Sequence, residues 1–134
     1  MDLDVLKIAE NTINYKSVKN YSHKLKYKNS ICGDEIEITL KIKNRKVIDF
    51  GYQTKSCIYC QASASLLSRK SKNKKIDEIN EFLNTANFLF QDNSKIVPKH
   101  WRPFSTIFKK QNLSRKECLL LPVNALMKII KKND

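Results

Sequence analysis

Apolar positions recur at two different spacings along the chain, and each change of spacing marks a new element. Residues 2–20 place Leu3, Val5, Leu6, Ile8, Ala9 and Ile13 near helical spacing before fading into Asn, Lys and Ser. That predicts a short N-terminal helix followed by a loop. From Lys24 to about Gln53 the period becomes two. His23-Lys24-Leu25-Lys26-Tyr27-Lys28 alternates, and Glu35-Ile36-Glu37-Ile38-Thr39-Leu40-Lys41-Ile42 alternates more strictly. Val47-Ile48-Asp49-Phe50-Gly51-Tyr52 follows the turn residues Lys43-Asn44-Arg45-Lys46. Three strands with short connections read most simply as an antiparallel meander with one buried face.

Beyond Cys57 the helical period returns. Ala62, Ala64, Leu66 and Leu67 suit a helix that ends in the basic run Arg69-Lys70-Ser71-Lys72-Asn73-Lys74-Lys75. Ile76, Ile79, Phe82, Leu83 and Ala86 then mark an amphipathic helix, broken at Asn93-Ser94. Pro98 and Pro103 bracket a junction holding the single tryptophan, Trp101, and Phe104, Ile107 and Phe108 suggest another short helix. A last helix opens at Ser114, where Ser114-Arg115-Lys116-Glu117 fits a capping box, and runs to Ile130. Pro122 inside it should kink it or delay its regular start. The expected class is α+β, a three-stranded antiparallel sheet packed against a layer of helices, with an N-terminal helix and a kinked C-terminal helix. A single domain over 1–134 is expected, with no internal repeat and no splitting linker.

Composition narrows the partners. Hydrophobic residues make up 41% and charged residues 29%, which excludes wholesale disorder. The longest apolar run, Cys118 to Val123, is far too short for a bilayer span. Met1-Asp2-Leu3-Asp4 starts acidic with no apolar region behind it, so a cytoplasmic protein without membrane attachment is expected. The net charge of +13 comes from 26 Lys and Arg against 13 Asp and Glu and would favour anionic partners. Its lysines are spread along the whole chain, however, and the one dense run reads as a solvated helix end and loop, so nucleic acid is not expected.

The four cysteines carry the candidate chemistry. In a chain without an export signal Cys32, Cys57, Cys60 and Cys118 read as thiols or metal ligands rather than disulfides. A zinc ribbon needs two Cys-x-x-Cys pairs, and only Cys57-Ile58-Tyr59-Cys60 is present. Cys32 stands in the loop before the second strand, in Ile31-Cys32-Gly33-Asp34; Cys57 lies just past the third strand and before a helix, and Cys118 in the first turn of the last helix. Cys57 and Cys118 should feel the positive end of a helix, which lowers a thiol pKa. With Asp34 as a harder fourth donor, three sulfurs and one oxygen suit tetrahedral zinc or the anchoring of an iron–sulfur cluster. The competing reading makes each cysteine a small buried hydrophobe.

These motifs resemble the U-type iron–sulfur cluster assembly family: IscU, SufU and the N-terminal domain of NifU. The likeness rests on Cys32-Gly33-Asp34 before an alternating strand, on Cys57 and then Ala62-Ser63-Ala64-Ser65 opening a helix, and on Arg115, Cys118 and Leu121 near the C-terminus. It covers about residues 5–130. The interval from Cys57 to Cys118, 61 positions, is similar to that of SufU-like members, as are Arg115 and the absence of a Leu-Pro-Pro-Val-Lys segment; Glu117 stands where IscU-type members have His. Ser56 replaces the glycine usual before the second cysteine, and Ser30-Ile31 the usual Asn-Pro.

The resemblance implies a scaffold or sulfur acceptor, a carrier rather than a turnover enzyme. It would take persulfide sulfur from a cysteine desulfurase, with Cys118 or Cys32 as acceptor, and bind iron or a [2Fe–2S] cluster on Cys32, Asp34, Cys57 and Cys118. Recipient apoproteins would then take the cluster. In the SufU-like use the same residues hold Zn2+ and support zinc-dependent sulfur transfer. Arg115 would act as an electrostatic helper, and Cys60 as a substitute ligand, a resolving thiol or a packed residue. A monomer or weak dimer is expected. Two rivals stay open: a basic nucleic-acid-binding module with a structural zinc, and a thiol–disulfide protein using Cys57 and Cys60.

Overall fold

Asp2 starts the first helix, α1 (Leu3–Ala9): its Oδ1 accepts from the amides of Asp4 at 2.9 Å and Val5 at 3.4 Å, two donors left over at a helix N-terminus. The computed structural model describes residues 2–31, 33–91 and 97–133, so Cys32 and the expected break at Asn93-Ser94 lie outside it.

Strands β1 (His23–Lys28), β2 (Glu35–Lys43) and β3 (Lys46–Lys55) form the expected antiparallel meander. Alternation sends Ile36, Ile38 and Leu40 of β2 to one face, where they meet Val47, Phe50 and Tyr52 of β3, all at most 2% exposed. The β2–β3 turn uses Asn44 and Arg45 at φ +54° and +58°, the left-handed pair that a two-residue hairpin requires. The sheet has four strands rather than the three expected. After helix α2 (Ile58–Ser71) the chain reverses at Asn73 (φ +67°), and β4 (Lys74–Lys75) pairs with Lys46 and Val47. The basic run therefore contributes a short edge strand; its lysines carry no strand signal, and backbone pairing places them.

Helix α2 is enclosed almost all round, by α1, by the sheet and by α4 (Lys116–Asn133). Small residues make that fit: Ala62, Ser63, Ala64, Ser65, Ser68 and Ser71 are buried together with Leu66 and Leu67. Helix α3 (Ile76–Ala86) buries Ile76, Ile79, Phe82, Leu83 and Ala86, the periodic positions. The Trp101 junction is a 3₁₀ turn, Lys99–Thr106, whose indole stacks on Phe82 at 4.4 Å with the planes 6° apart. A further 3₁₀ turn, Lys110–Arg115, leads into α4. Ser114 thus falls in that turn, and the helix starts at Lys116 instead of at the expected cap. Tertiary contacts set this turn: Asn112 donates to the Ile107 carbonyl at 2.9 Å and to Asp2 at 3.0 Å. Helix α4 continues through Pro122. Among the described residues no helix is long and apolar enough to cross a membrane.

Candidate metal centre

Three elements meet where β1 gives way to β2. The Lys28–Glu35 pair closes β1 onto β2, and the Asn29 amide extends the closure by donating to the Asp34 carbonyl at 2.8 Å. Within this hairpin the Asn29 side chain accepts from the Ile31 amide at 2.8 Å, and the Gly33 amide donates to the Asn29 carbonyl at 2.9 Å. Gly33 sits at φ +77° in open space, so the turn needs glycine for its backbone and not for room. This geometry delivers Asp34 to the end of the sheet. Cys57 stands at the N-cap of α2, with no cap bond from its own side chain. Asp34 Oδ2 accepts from the Cys57 amide instead, at 3.5 Å, so the carboxylate faces the helix start. Cys118, third residue of α4, is 7% exposed.

A carboxylate oxygen of Asp34, Cys57 Sγ and Cys118 Sγ all lie within 4.8 Å of one another. Ligand atoms around tetrahedral zinc, at bond lengths of 2.0–2.3 Å, are about 3.3–3.8 Å apart, so a small adjustment seats one ion among these three. Two soft sulfurs and one hard oxygen suit zinc or iron, which accept thiolate. The structure brings together three of the four expected ligands; Cys32, the fourth, is outside the described residues.

The expectation of a lowered Cys118 pKa is corrected. Burial, then the hydrogen bond and charge of Cys57 and of Asp34, push this thiol well above the usual range. Burial and the two neighbouring acids together outweigh the helix end, and a bound cation would reverse that penalty. Cys60 is fully buried, its Sγ 3.9 Å from Thr54 Oγ1, and is not one of the three clustered donors. Arg115 closes the turn before α4, and its guanidinium carbon sits 5.4 Å from the centre of the Tyr59 ring. Tyr59 was not singled out from sequence; a residue two past a helix-capping cysteine carries no distinctive signal. Tyr27 and Tyr52 fall in β1 and β3 as expected, and Tyr52 is buried, a core residue rather than a stacking platform.

The chain is 28% identical over 135 residues to a Thermotoga maritima protein named iron-sulfur cluster assembly scaffold protein IscU, covering 92% of each. It is 27% identical to an uncharacterized Borreliella burgdorferi protein, covering 90% of this chain and 79% of that one. Its fold is similar to a putative SUF-system scaffold protein from Fervidobacterium islandicum, with TM-score 0.85, 20% identity and coverage of 95% and 93%. It is also similar to the N-terminal part of a NifU-like protein from Brucella abortus, with TM-score 0.82, 20% identity and coverage of 96% and 90%. The description NifU-like N terminal domain matches residues 4–100, most of the chain. The chain belongs to that family, the iron–sulfur cluster assembly scaffolds of the IscU, SufU and NifU type.

Proposed function

We propose that this chain accepts sulfur from a cysteine desulfurase and carries iron and sulfide, as cargo, on Cys32, Asp34, Cys57 and Cys118 for delivery to recipient apoproteins. One observation carries the reading: donors from a hairpin, a helix cap and a second helix, distant in sequence, lie within 4.8 Å of one another. In the transfer step the thiolate of Cys118 or Cys32 attacks the outer sulfur of the desulfurase persulfide. A new S–S bond forms, the old one breaks, and the desulfurase thiolate leaves and takes up a proton. The sulfane sulfur moves without net oxidation. Turning each one into cluster sulfide consumes two electrons from an external thiol or electron carrier.

Asp34 gives this set a hard oxygen beside its sulfurs, a weaker hold on iron that favours release. Arg115, exposed beside Tyr59 and three residues before Cys118, would add positive charge for an anionic load. A second reading, zinc-dependent sulfur transfer, is favoured by the long interval between Cys57 and Cys118, which the 3₁₀ turns Lys99–Thr106 and Lys110–Arg115 partly fill. Zinc on these residues would hold the thiols as thiolates ready for exchange.

The test is metal analysis of anaerobically purified chain, then incubation with a cysteine desulfurase, cysteine, Fe2+ and dithiothreitol, followed by visible absorption. A cluster spectrum lost in Cys57→Ala and Cys118→Ala supports the scaffold. Stoichiometric zinc with a persulfide seen by mass spectrometry after incubation with desulfurase and cysteine but no dithiothreitol, and no cluster, selects the zinc reading. Neither metal nor persulfide refutes both. Metal at a thousand times its Kd stabilises by about 4 kcal/mol, so chelation should lower the melting temperature visibly.

A further inference from the structure

Ser63 lies in the middle of α2, fully buried, six residues past Cys57. Its hydroxyl does not return to its own helix: Oγ donates to the Leu119 carbonyl of α4 at 2.6 Å. The bond lands one residue beyond Cys118. Two helices that each present a clustered sulfur at their N-terminal ends are thus joined by one buried hydrogen bond a short way behind both sulfurs.

The receiving turn is unusual. Pro122 has no amide hydrogen, so the Cys118 carbonyl, four residues earlier, lacks its helical donor. The turn that carries Cys118 is therefore held less firmly by α4 itself than a regular turn is, and a donor arrives from outside at the adjacent carbonyl. Small side chains on α2 let the two helices approach closely but offer few interlocking knobs, so a directional contact can add to packing in setting their stagger. The 2.6 Å bond is that contact.

We propose that Ser63 is a positioning residue for Cys118, setting the separation of the Cys118 and Cys57 sulfurs by locking the stagger of α2 and α4. The inference rests on the reading of those two cysteines as ligands, and its test separates the two. Ser68 serves as control: it too is fully buried on α2, donates to the Ser65 carbonyl at 2.8 Å and accepts from Asn14 at 3.0 Å, but makes no bond to α4.

Ser63→Ala and Ser68→Ala are compared in the full chain by amide hydrogen exchange and by Zn2+ affinity measured with a competing chromophoric chelator. Both variants should melt earlier. Only Ser63→Ala should speed exchange over residues 119–123, by about five-fold beyond the change in global stability, and weaken Zn2+ by a similar factor, the worth of one net buried hydrogen bond. Ser63→Cys, which keeps a weak donor, should recover part of both. If the two alanine variants behave alike, or if Ser63→Ala changes neither readout, Ser63 is not a positioning residue. If the wild-type chain binds no Zn2+, the ligand reading fails, while exchange over residues 119–123 still decides whether Ser63 holds that turn.

Discussion

Cys60 offers the sharpest single measurement, because it separates the family chemistry from a thiol–disulfide pair built on Cys57 and Cys60. Its side chain is fully buried, and burial pushes its thiol from an ordinary 9.0 up to about 12, with hydrogen bonds from Ser56 and Thr54 opposing that only partly. At pH 8 an ordinary thiol is roughly one-tenth ionised, whereas one at about 12 is ionised about once in ten thousand, a thousand-fold difference in reactive thiolate. The experiment labels the reduced, metal-free chain with iodoacetamide at pH 8, natively and in urea, and follows Cys60 by fragment mass spectrometry. Native labelling should be about a thousand-fold slower than in urea. A native rate within ten-fold of the urea rate would refute the burial argument and revive the pair. The same shift makes stability depend on pH. Above about pH 9 the unfolded chain sheds the Cys60 proton while the folded chain keeps it, so stability falls as pH rises from 9 towards 12. Urea titrations across that range should show a flatter decline in Cys60→Ala.

Gly51 should not tolerate a side chain: a Cβ there would stand 2.5 Å from the Lys16 carbonyl oxygen and 3.1 Å from Val18 and Thr39. Gly51→Ala must displace a backbone strap that bonds Tyr52 at 3.0 and 3.1 Å, so a loss of about 2 kcal/mol in chemical denaturation is expected, and an unchanged midpoint would contradict the fold. Asp2 opens α1 and also binds Asn112 at 3.0 Å and Lys109 at 3.2 Å. Burial raises its pKa, but bonds from Asn112, Lys109 and the Val5 and Asp4 amides outweigh burial and hold it below 3.8. Its stabilising part is present above that value and lost as pH falls below it. Asp2→Ala should cost about 1–2 kcal/mol at pH 7 and lose less further stability than wild type under acid denaturation, which unfolding followed from pH 5 to pH 2 will show.

The strands and long helices were legible because burial imposes a period: Ile36, Ile38 and Leu40 on one sheet face, and Ile76, Ile79, Leu83 and Ala86 on one helix face. Asp34 and Cys57 were legible as ends of elements. What sequence could not carry was pairing that depends on backbone alone. Strand β4 inside a lysine run is of that kind, as is the strap where Lys16 donates to the Tyr52 carbonyl. The start of α4 was misjudged because Asn112 and Asp2, far apart in sequence, hold the preceding turn. The ionisation of Cys118 is not legible in sequence, because burial, with Cys57 and Asp34 clustered beside it, outweighs a helix end. Ser63 reads in sequence as one of several small residues; only the coordinates show that its hydroxyl crosses to α4.

The donors are anchored unequally. Cys118 is the third residue of a helix whose Leu119, Leu121, Leu126 and Ile130 are embedded in the protein's interior, whereas Asp34 ends a solvent-facing hairpin in which Ile31 is 83% exposed. Loading and unloading would therefore be lopsided. On the proposed function, the hairpin side would be the cheaper one to open while the two helix-borne sulfurs stay put.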